Sequence, residues 1–275
     1  MPTFDESRPG NGGGVAGAAQ RRPPRDRTRY DEDMSLRVRC LCYFLASATV
    51  ATARPAAGTE PPHQVAAAIP APQAVSYTLD GIPRQGVSFV PDRPGPKPLV
   101  LLFDPNGDAS GAVNTWVPAA SKAGWIVAST PRVRNGTADV DDAREMLALL
   151  DALRQRHQID GRRIYSGGWS GGGCGAYLLA LTRPEIFAGS FVQVAHMGSW
   201  RENRLASRIS RTDQSYYLLT RTNDFNRPAM QQLATALRGA GLEVMLVERP
   251  GVHQGMSGEE VAAALDWMQR RPPSR

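Results

Sequence analysis

Short apolar runs follow one another along the chain from Val75 onward. Each run is only three to five residues long and rich in β-branched or aromatic side chains, so each predicts a strand. The first two runs are separated by Asp80 and Gly81, which favour a tight turn and an antiparallel pair. The predicted strands are Val75–Leu79, Gly86–Val90, Leu99–Phe103, Trp125–Ser129, Ile164–Ser166, Phe191–Ala195, Tyr216–Thr220 and Val244–Val247.

Helical segments alternate with the later strands. The clearest is Val140–Arg156, where Met146, Leu150 and Leu153 recur at helical spacing behind an acidic start. The alternation predicts an α/β fold, with a mostly parallel central sheet and helices on both faces. Ligands bind such sheets at the carboxyl ends of the strands. The other predicted helices are Thr115–Ala123, Gly173–Thr182, Pro228–Arg238 and Glu259–Met268.

The residues before this pattern divide into three segments. Residues 1–33 are poor in apolar side chains and predict a disordered leader. Residues 34–53 have the layout of a secretory signal peptide, with a short basic region followed by an uncharged run at Cys40–Ala53. Residues 54–74 are rich in Pro and Ala and predict a linker. The folded domain is therefore expected at residues 75–275.

The signal-like segment predicts a secreted or periplasmic protein. Its apolar run of about 14 residues is shorter than the roughly 20 that a membrane-spanning helix needs, so we expect no stable membrane insertion after cleavage. A signal peptide normally begins a chain, which favours Met34 over Met1 as the start of translation.

Composition narrows the classes of partner. The net charge is +6, but the cations are scattered arginines and only two lysines, without a basic stripe, so no nucleic-acid partner is expected. After loss of the signal only Cys174 remains, which allows no internal disulfide and predicts a buried packing residue. The sequence contains no metal-ligand cluster, phosphate loop or dinucleotide fingerprint, so we expect no metal ion or cofactor.

A G-x-S-x-G motif at Gly168–Gly172 follows the strand Ile164–Ser166 and precedes an apolar helix. This strand-turn-helix context is typical of a nucleophile elbow and predicts Ser170 as the nucleophile. The start of the helix points backbone N–H groups at a developing oxyanion, and Gly171 is the expected donor. The alternative is a glycine-rich loop that contains a serine by chance, which the context disfavours.

A serine nucleophile requires a base and an orienting acid. Among four histidines, only His253 lies in a turn-rich loop between a late strand and the last helix, and it is the predicted base. Asp224 lies beyond the strand Tyr216–Thr220, where its carboxylate can reach the imidazole. Asp224 also suits a turn or a helix cap, in which case Asp108 or Glu248 becomes the candidate acid.

The remaining candidates line the strand ends. In the loop after Leu99–Phe103, Pro105 has no N–H, so Asn106 is the predicted second oxyanion donor and Gly107 the reserve. Trp169 and His196 are candidate substrate-binding residues; His196 suits a packing role equally well.

From Val75 to Arg271 the order of strands, elbow, late acid and final histidine resembles the α/β-hydrolase superfamily. Its subgroup of compact secreted serine esterases, similar to feruloyl esterases and polyhydroxybutyrate depolymerases, is the best likeness. The resemblance implies a Ser170-Asp224-His253 triad that cleaves carboxylic esters through an acyl-enzyme. Only about twenty residues separate the strands at Ala195 and Tyr216, so no large cap domain is expected, and a small-molecule or polymeric ester could enter.

Two other functions fit the same pattern. A serine peptidase of the prolyl-oligopeptidase type would share the triad, and a non-catalytic binding protein could use the same fold. The acyl and alcohol specificity and the oligomeric state remain open.

Overall fold

An eight-stranded sheet forms the centre of the structure, a computed structural model that describes residues 69–137, 139–197, 209 and 212–272. The strands lie in the order β1-β2-β4-β3-β5-β6-β7-β8. The first two are antiparallel to their neighbours and the others run parallel, which confirms the predicted mostly parallel sheet. The strands are β1 Gln73–Leu79, β2 Ile82–Phe89, β3 Lys97–Phe103, β4 Ile126–Ser129, β5 Ile159–Trp169, β6 Gly189–Gln193, β7 Ser215–Arg221 and β8 Glu243–Arg249.

Helices cover both faces of this sheet, as predicted. Side chains alternate along β3, so Leu99 and Leu101 join a core with α2, α3 and α4, whereas Val100 and Leu102 join a second core with α1 and α5. Burial of each such side chain contributes about 1.5–3 kcal/mol. The helices are α1 Ala109–Ala123, α2 Asp139–Arg156, α3 Ser170–Thr182, α4 Arg227–Gly239 and α5 Gly258–Gln269.

The largest boundary differences are the early starts of α1 and β5. Helix α1 begins at Ala109, six residues before the predicted start, because the Asp108 side chain accepts a hydrogen bond from the Gly111 N–H at 2.9 Å and caps the helix. Strand β5 begins at Ile159, before the predicted Ile164, and its polar first half pairs with β3 across a register shift.

The predicted leader, signal peptide and most of the predicted linker lie outside the described residues. Among the residues that are described, no helix has the length and apolar character required to cross a membrane. No cap domain interrupts the described part of the sheet. Because the strands from β3 onward run parallel, their carboxyl ends meet at one edge of the sheet. The loops at this edge carry the candidate site residues.

Candidate active site

Ser170 occupies the sharp turn between β5 and α3. Trp169 ends the strand and Ser170 begins the helix, with a positive φ of 53° that L-residues rarely adopt. Such a backbone costs about 1–3 kcal/mol and persists only where surrounding structure enforces it. The expected elbow geometry is thus present at the middle of the sheet.

Glycines make this turn sterically possible. A Cβ atom on Gly168 would lie 2.5 Å from the Gly172 carbonyl oxygen, and one on Gly172 would lie 2.3 Å from the Phe103 carbonyl oxygen. Both distances are far below van der Waals contact, and both obstacles are backbone. The first and last positions of the G-x-S-x-G motif must therefore be glycine in this fold.

The three predicted triad residues are joined by hydrogen bonds. His253 Nε2 lies 2.9 Å from Ser170 Oγ, and His253 Nδ1 lies 2.7 Å from Asp224 Oδ2. The Asp224 side chain is fully buried, whereas His253 is partly exposed. The arrangement allows the imidazole to take the hydroxyl proton while the carboxylate holds the ring.

The Asp224 carboxylate makes the contacts that both of the roles left open by the sequence would require. Its Oδ1 accepts a hydrogen bond from the Asn226 N–H at 2.5 Å, just before α4, while its Oδ2 faces His253. The alternative acids are engaged elsewhere, because Asp108 caps α1 and Glu248 pairs with Arg227 at 2.8 Å. The local turn thus fixes the carboxylate that reaches the imidazole.

A buried arginine, which the sequence reasoning missed, ties the histidine loop to the end of β7. Arg221 is 3% exposed and donates to both carboxylate oxygens of Glu260, at 2.6 and 2.7 Å. It also donates to the Gly255 carbonyl at 2.7 Å and the Gln254 carbonyl at 3.4 Å. These contacts fix the backbone immediately after His253.

Glu260 also belongs to the capping box of α5, since its side chain accepts from the Ser257 N–H and its own N–H donates to the Ser257 hydroxyl. Burial raises the pKa of Glu260, but hydrogen bonds from Arg221 and Ser257 outweigh burial and lower the pKa overall. The S-x-x-E pattern was visible in the sequence. Its arginine partner, 39 residues away, was not.

An exposed aromatic ring covers the candidate base. Phe225 is 74% exposed, yet its ring stacks on the His253 imidazole with centroids 4.3 Å apart and planes inclined by 30°. Trp169 lies near the same imidazole, at 5.9 Å between centroids. Phe225 follows Asp224 directly in the chain, so the turn that positions the Asp224 carboxylate also positions the Phe225 ring over His253.

In the loop after β3, the N–H groups expected as the second oxyanion donor already have acceptors. The Asn106 N–H, the predicted second oxyanion donor, already donates to Asp104 Oδ1 at 2.8 Å, and the Gly107 N–H donates to the Asp104 carbonyl at 3.1 Å. An aspartate readily accepts from the N–H two residues later, and this local turn competes with the predicted donor role of Asn106. Gly171, by contrast, is the second residue of α3, so its N–H has no acceptor within the helix.

Asp104 is buried, and its carboxylate accepts several hydrogen bonds at this loop. It is 6% exposed, and besides Asn106 its carboxylate accepts from the Asp108 N–H at 3.0 Å and from the Trp169 indole N–H at 3.0 Å. The carboxylate therefore shapes the loop and fixes the ring that flanks Ser170.

Two cavities flank the elbow, each lined by one of the predicted substrate-binding residues. A cavity of about 330 Å³ is lined by Trp169 together with Trp116, Gln193 and Met256. A smaller one of about 170 Å³ contains His196 in its wall. A larger cavity of about 700 Å³ lies between β1 and α2, and none of the triad residues lines it.

Cys174 lies one turn beyond Ser170 in α3 and is 7% exposed. Its Sγ donates to the His196 carbonyl at 3.3 Å, and burial raises the pKa of the thiol to about 11. The thiol is thus buried and protonated at neutral pH, in agreement with the packing role expected for it.

Comparison with known proteins places this geometry in context. Residues 132–216 match the prolyl oligopeptidase family, a stretch that includes the elbow but neither Asp224 nor His253. No curated protein sequence matches the chain.

Solved structures match about three quarters of the chain. An acylaminoacyl peptidase from Pyrococcus horikoshii aligns with a TM-score of 0.59 at 15% identity, covering 74% of this chain and 42% of that one. A fluorophosphonate-binding serine hydrolase from Staphylococcus aureus gives 0.61 at 15% identity, covering 72% and 98%. An esterase from Pyrobaculum calidifontis gives 0.60 at 13% identity, covering 74% and 86%. The chain has the predicted α/β-hydrolase fold, and its structural neighbours include esterases and peptidases.

Proposed function

We propose that this protein is a serine hydrolase that cleaves carboxylic esters through an acyl-enzyme, with Ser170 as nucleophile, His253 as general base and Asp224 as orienting acid. The observation that carries the proposal is the continuous hydrogen-bonded path from Asp224 Oδ2 through His253 to Ser170 Oγ, at 2.7 and 2.9 Å. The strained backbone of Ser170 at the elbow supports it.

In the first half of the reaction, Ser170 Oγ attacks the ester carbonyl carbon while its proton passes to His253 Nε2. The carbonyl electron pair moves to oxygen, which the Gly171 N–H stabilises. Asp224 holds Nδ1 as the donor, and its charge stabilises the imidazolium. The tetrahedral intermediate then expels the alcohol, which takes the proton from Nε2, and the acyl group remains on Ser170.

In the second half, water replaces the alcohol. His253 Nε2 removes a proton from the water, and the resulting hydroxide attacks the acyl carbon. Collapse of this intermediate breaks the bond to Ser170 Oγ, which recovers its proton from His253. The carboxylic acid leaves and the free enzyme returns.

The test is hydrolysis of an aryl ester by the wild-type protein and by Ser170→Ala, with Ser110→Ala in α1 as a matched control. We expect Ser170→Ala to lose at least about 10⁴-fold in kcat, as in other serine hydrolases, and the control to retain wild-type kcat. Equal turnover by Ser170→Ala would contradict the mechanism. Absence of turnover in both proteins would favour the non-catalytic binding function.

We further propose that the site takes bulky or polymeric esters. The supporting features are the lack of a cap domain in the described part of the chain and the cavities on both sides of the elbow. A panel of esters with increasing acyl length, extended to a polyester, tests this. Rates that fall steadily from acetate to longer chains would contradict it.

A peptidase is the second candidate, because residues 132–216 match the prolyl oligopeptidase family. Matched substrates that share one acyl group, an aryl ester and an aryl amide, separate the two functions. An esterase cleaves only the ester at a useful rate, whereas a peptidase also cleaves the amide.

We also propose that the protein is exported after cleavage of residues 34–53. The support is the sequence alone, with its basic region and uncharged run at Cys40–Ala53. Sequencing the N-terminus of the native exported protein tests the proposal, and a mature start upstream of Met34 would contradict it.

A further inference from the structure

The oxyanion formed during ester cleavage needs two hydrogen-bond donors, and no backbone N–H among residues 105–107 of the loop after β3 is free to be the second. Pro105 has none, and the N–H groups of Asn106 and Gly107 already donate to Asp104. Of the oxyanion donors predicted from the sequence, only the Gly171 N–H is still available. Each donor of an oxyanion hole contributes about 10²–10³ in kcat, so one missing donor is a large deficit.

A side chain from the loop after β4 lies next to Gly171. If Gly171 carried a Cβ, that atom would be 2.0 Å from Asn135 Oδ1 and 3.4 Å from Asn135 Nδ2. Only glycine leaves room for the carboxamide this close to the elbow. Among the residues that the structure describes, the Asn135 side chain has no hydrogen-bond partner, although both of its ends can form hydrogen bonds.

The backbone fixes Asn135 in this place. Its N–H donates to the Pro105 carbonyl at 2.8 Å, which joins the loop after β4 to the loop after β3. On the other side, the Thr137 hydroxyl lies 2.5 Å from both the Arg134 carbonyl oxygen and the Asp142 carboxylate and donates its one proton to either of them. These contacts hold the backbone of the loop that carries Asn135, while its exposed side chain is free to turn about the Cβ–Cγ bond.

We propose that Asn135 is a catalytic residue whose side-chain N–H completes the oxyanion hole beside the Gly171 N–H. A half-turn about the Cβ–Cγ bond exchanges the two ends of the carboxamide, so the N–H faces the oxyanion as it forms. The proposal rests on the esterase function proposed above. It assigns the second donor to a side chain after β4 instead of the backbone after β3.

The test compares Asn135→Ala, Asn135→Asp and the control Asn114→Ala, an exposed position on α1. We expect both Asn135 variants to lose about 10²–10³-fold in kcat with KM nearly unchanged, since a carboxylate cannot donate to an oxyanion. A trifluoromethyl ketone, which forms a similar oxyanion on Ser170, should bind these variants more weakly by the same factor as the loss in kcat/KM. A role in loop structure alone predicts that aspartate, which has the same shape, restores turnover, and that result would overturn the proposal.

Two further variants separate this inference from the proposed function. If Ser170→Ala retains wild-type turnover, the proposed function fails and the inference fails with it. If Ser170→Ala is inactive while Asn135→Ala turns over normally, only the inference fails. Loss of activity in Asn106→Ala but not in Asn135→Ala would assign the second donor to the Asn106 side chain and also overturn it.

Discussion

Replacing Glu260 by glutamine tests whether the Arg221 ion pair holds the histidine loop to the sheet. The two side chains are 4% and 16% exposed and share two hydrogen bonds, at 2.6 and 2.7 Å. Removing one partner of a buried pair costs about 3–5 kcal/mol, because the other charge stays buried. Glutamine keeps one acceptor oxygen, so we expect a loss near the lower limit, about 3 kcal/mol.

Chemical denaturation at pH 7 measures the loss, with Glu248→Gln as the control. Glu248 pairs with Arg227 at 2.8 Å, but these side chains are 34% and 43% exposed. Exposed pairs contribute only about 0–1 kcal/mol. Glu260→Gln should therefore lower the free energy of unfolding several times more than Glu248→Gln. Equal, small losses in the two variants would refute the claim that Arg221 depends on Glu260.

The same pair predicts a dependence on pH. The folded-state pKa of Glu260 is lowered, so its stabilising contribution is fully present above the unfolded pKa of about 4.3 and is lost as pH falls through the folded pKa. The difference in unfolding free energy between wild type and Glu260→Gln should be constant from pH 7 to about 5 and shrink below about 4. A difference that persists unchanged in stronger acid would contradict this reasoning.

Three other predictions concern the residues around the nucleophile. Asp224→Asn should fold normally but lose about 10⁴-fold in kcat, because the amide favours the wrong imidazole tautomer of His253; near-normal turnover would remove its catalytic role. Phe225→Ala should lower kcat about threefold to tenfold through loss of the stacked ring, whereas Val252→Ala, an exposed apolar control on the histidine loop, should not. Cys174 should react with iodoacetamide in native protein far more slowly than in urea-unfolded protein, as followed by intact mass, and rapid native alkylation with loss of activity would contradict its burial.

The fold was predictable because its signals are local. Buried parallel strands such as Leu99–Phe103 appear as continuous apolar runs, and the elbow motif fixes which strand end carries Ser170. The boundaries of α1 and β5 were missed because they depend on a capping side chain and on a polar half-strand paired with β3. Neither feature has hydrophobic periodicity.

The site was only partly predictable, because some of its contacts are local in the sequence and others are not. Ser170, Asp224 and His253 follow from the order of motifs and strand ends, and the structure brings them within hydrogen-bonding distance. The contacts of Arg221 with Glu260 and of Asn135 with Gly171 join residues far apart in the chain, and no spacing rule predicts them.

Mass spectrometry after a rapid acid quench tests the central claim most directly. The wild-type protein is mixed with excess p-nitrophenyl acetate, and the peptides are examined for acetylation at times that span the first turnover. The proposed mechanism predicts one acetyl group on Ser170, formed as fast as the initial release of p-nitrophenol and absent in Ser170→Ala. Sustained hydrolysis without acetylated Ser170, or with the acetyl group on another residue that turns over at the steady-state rate, would contradict it.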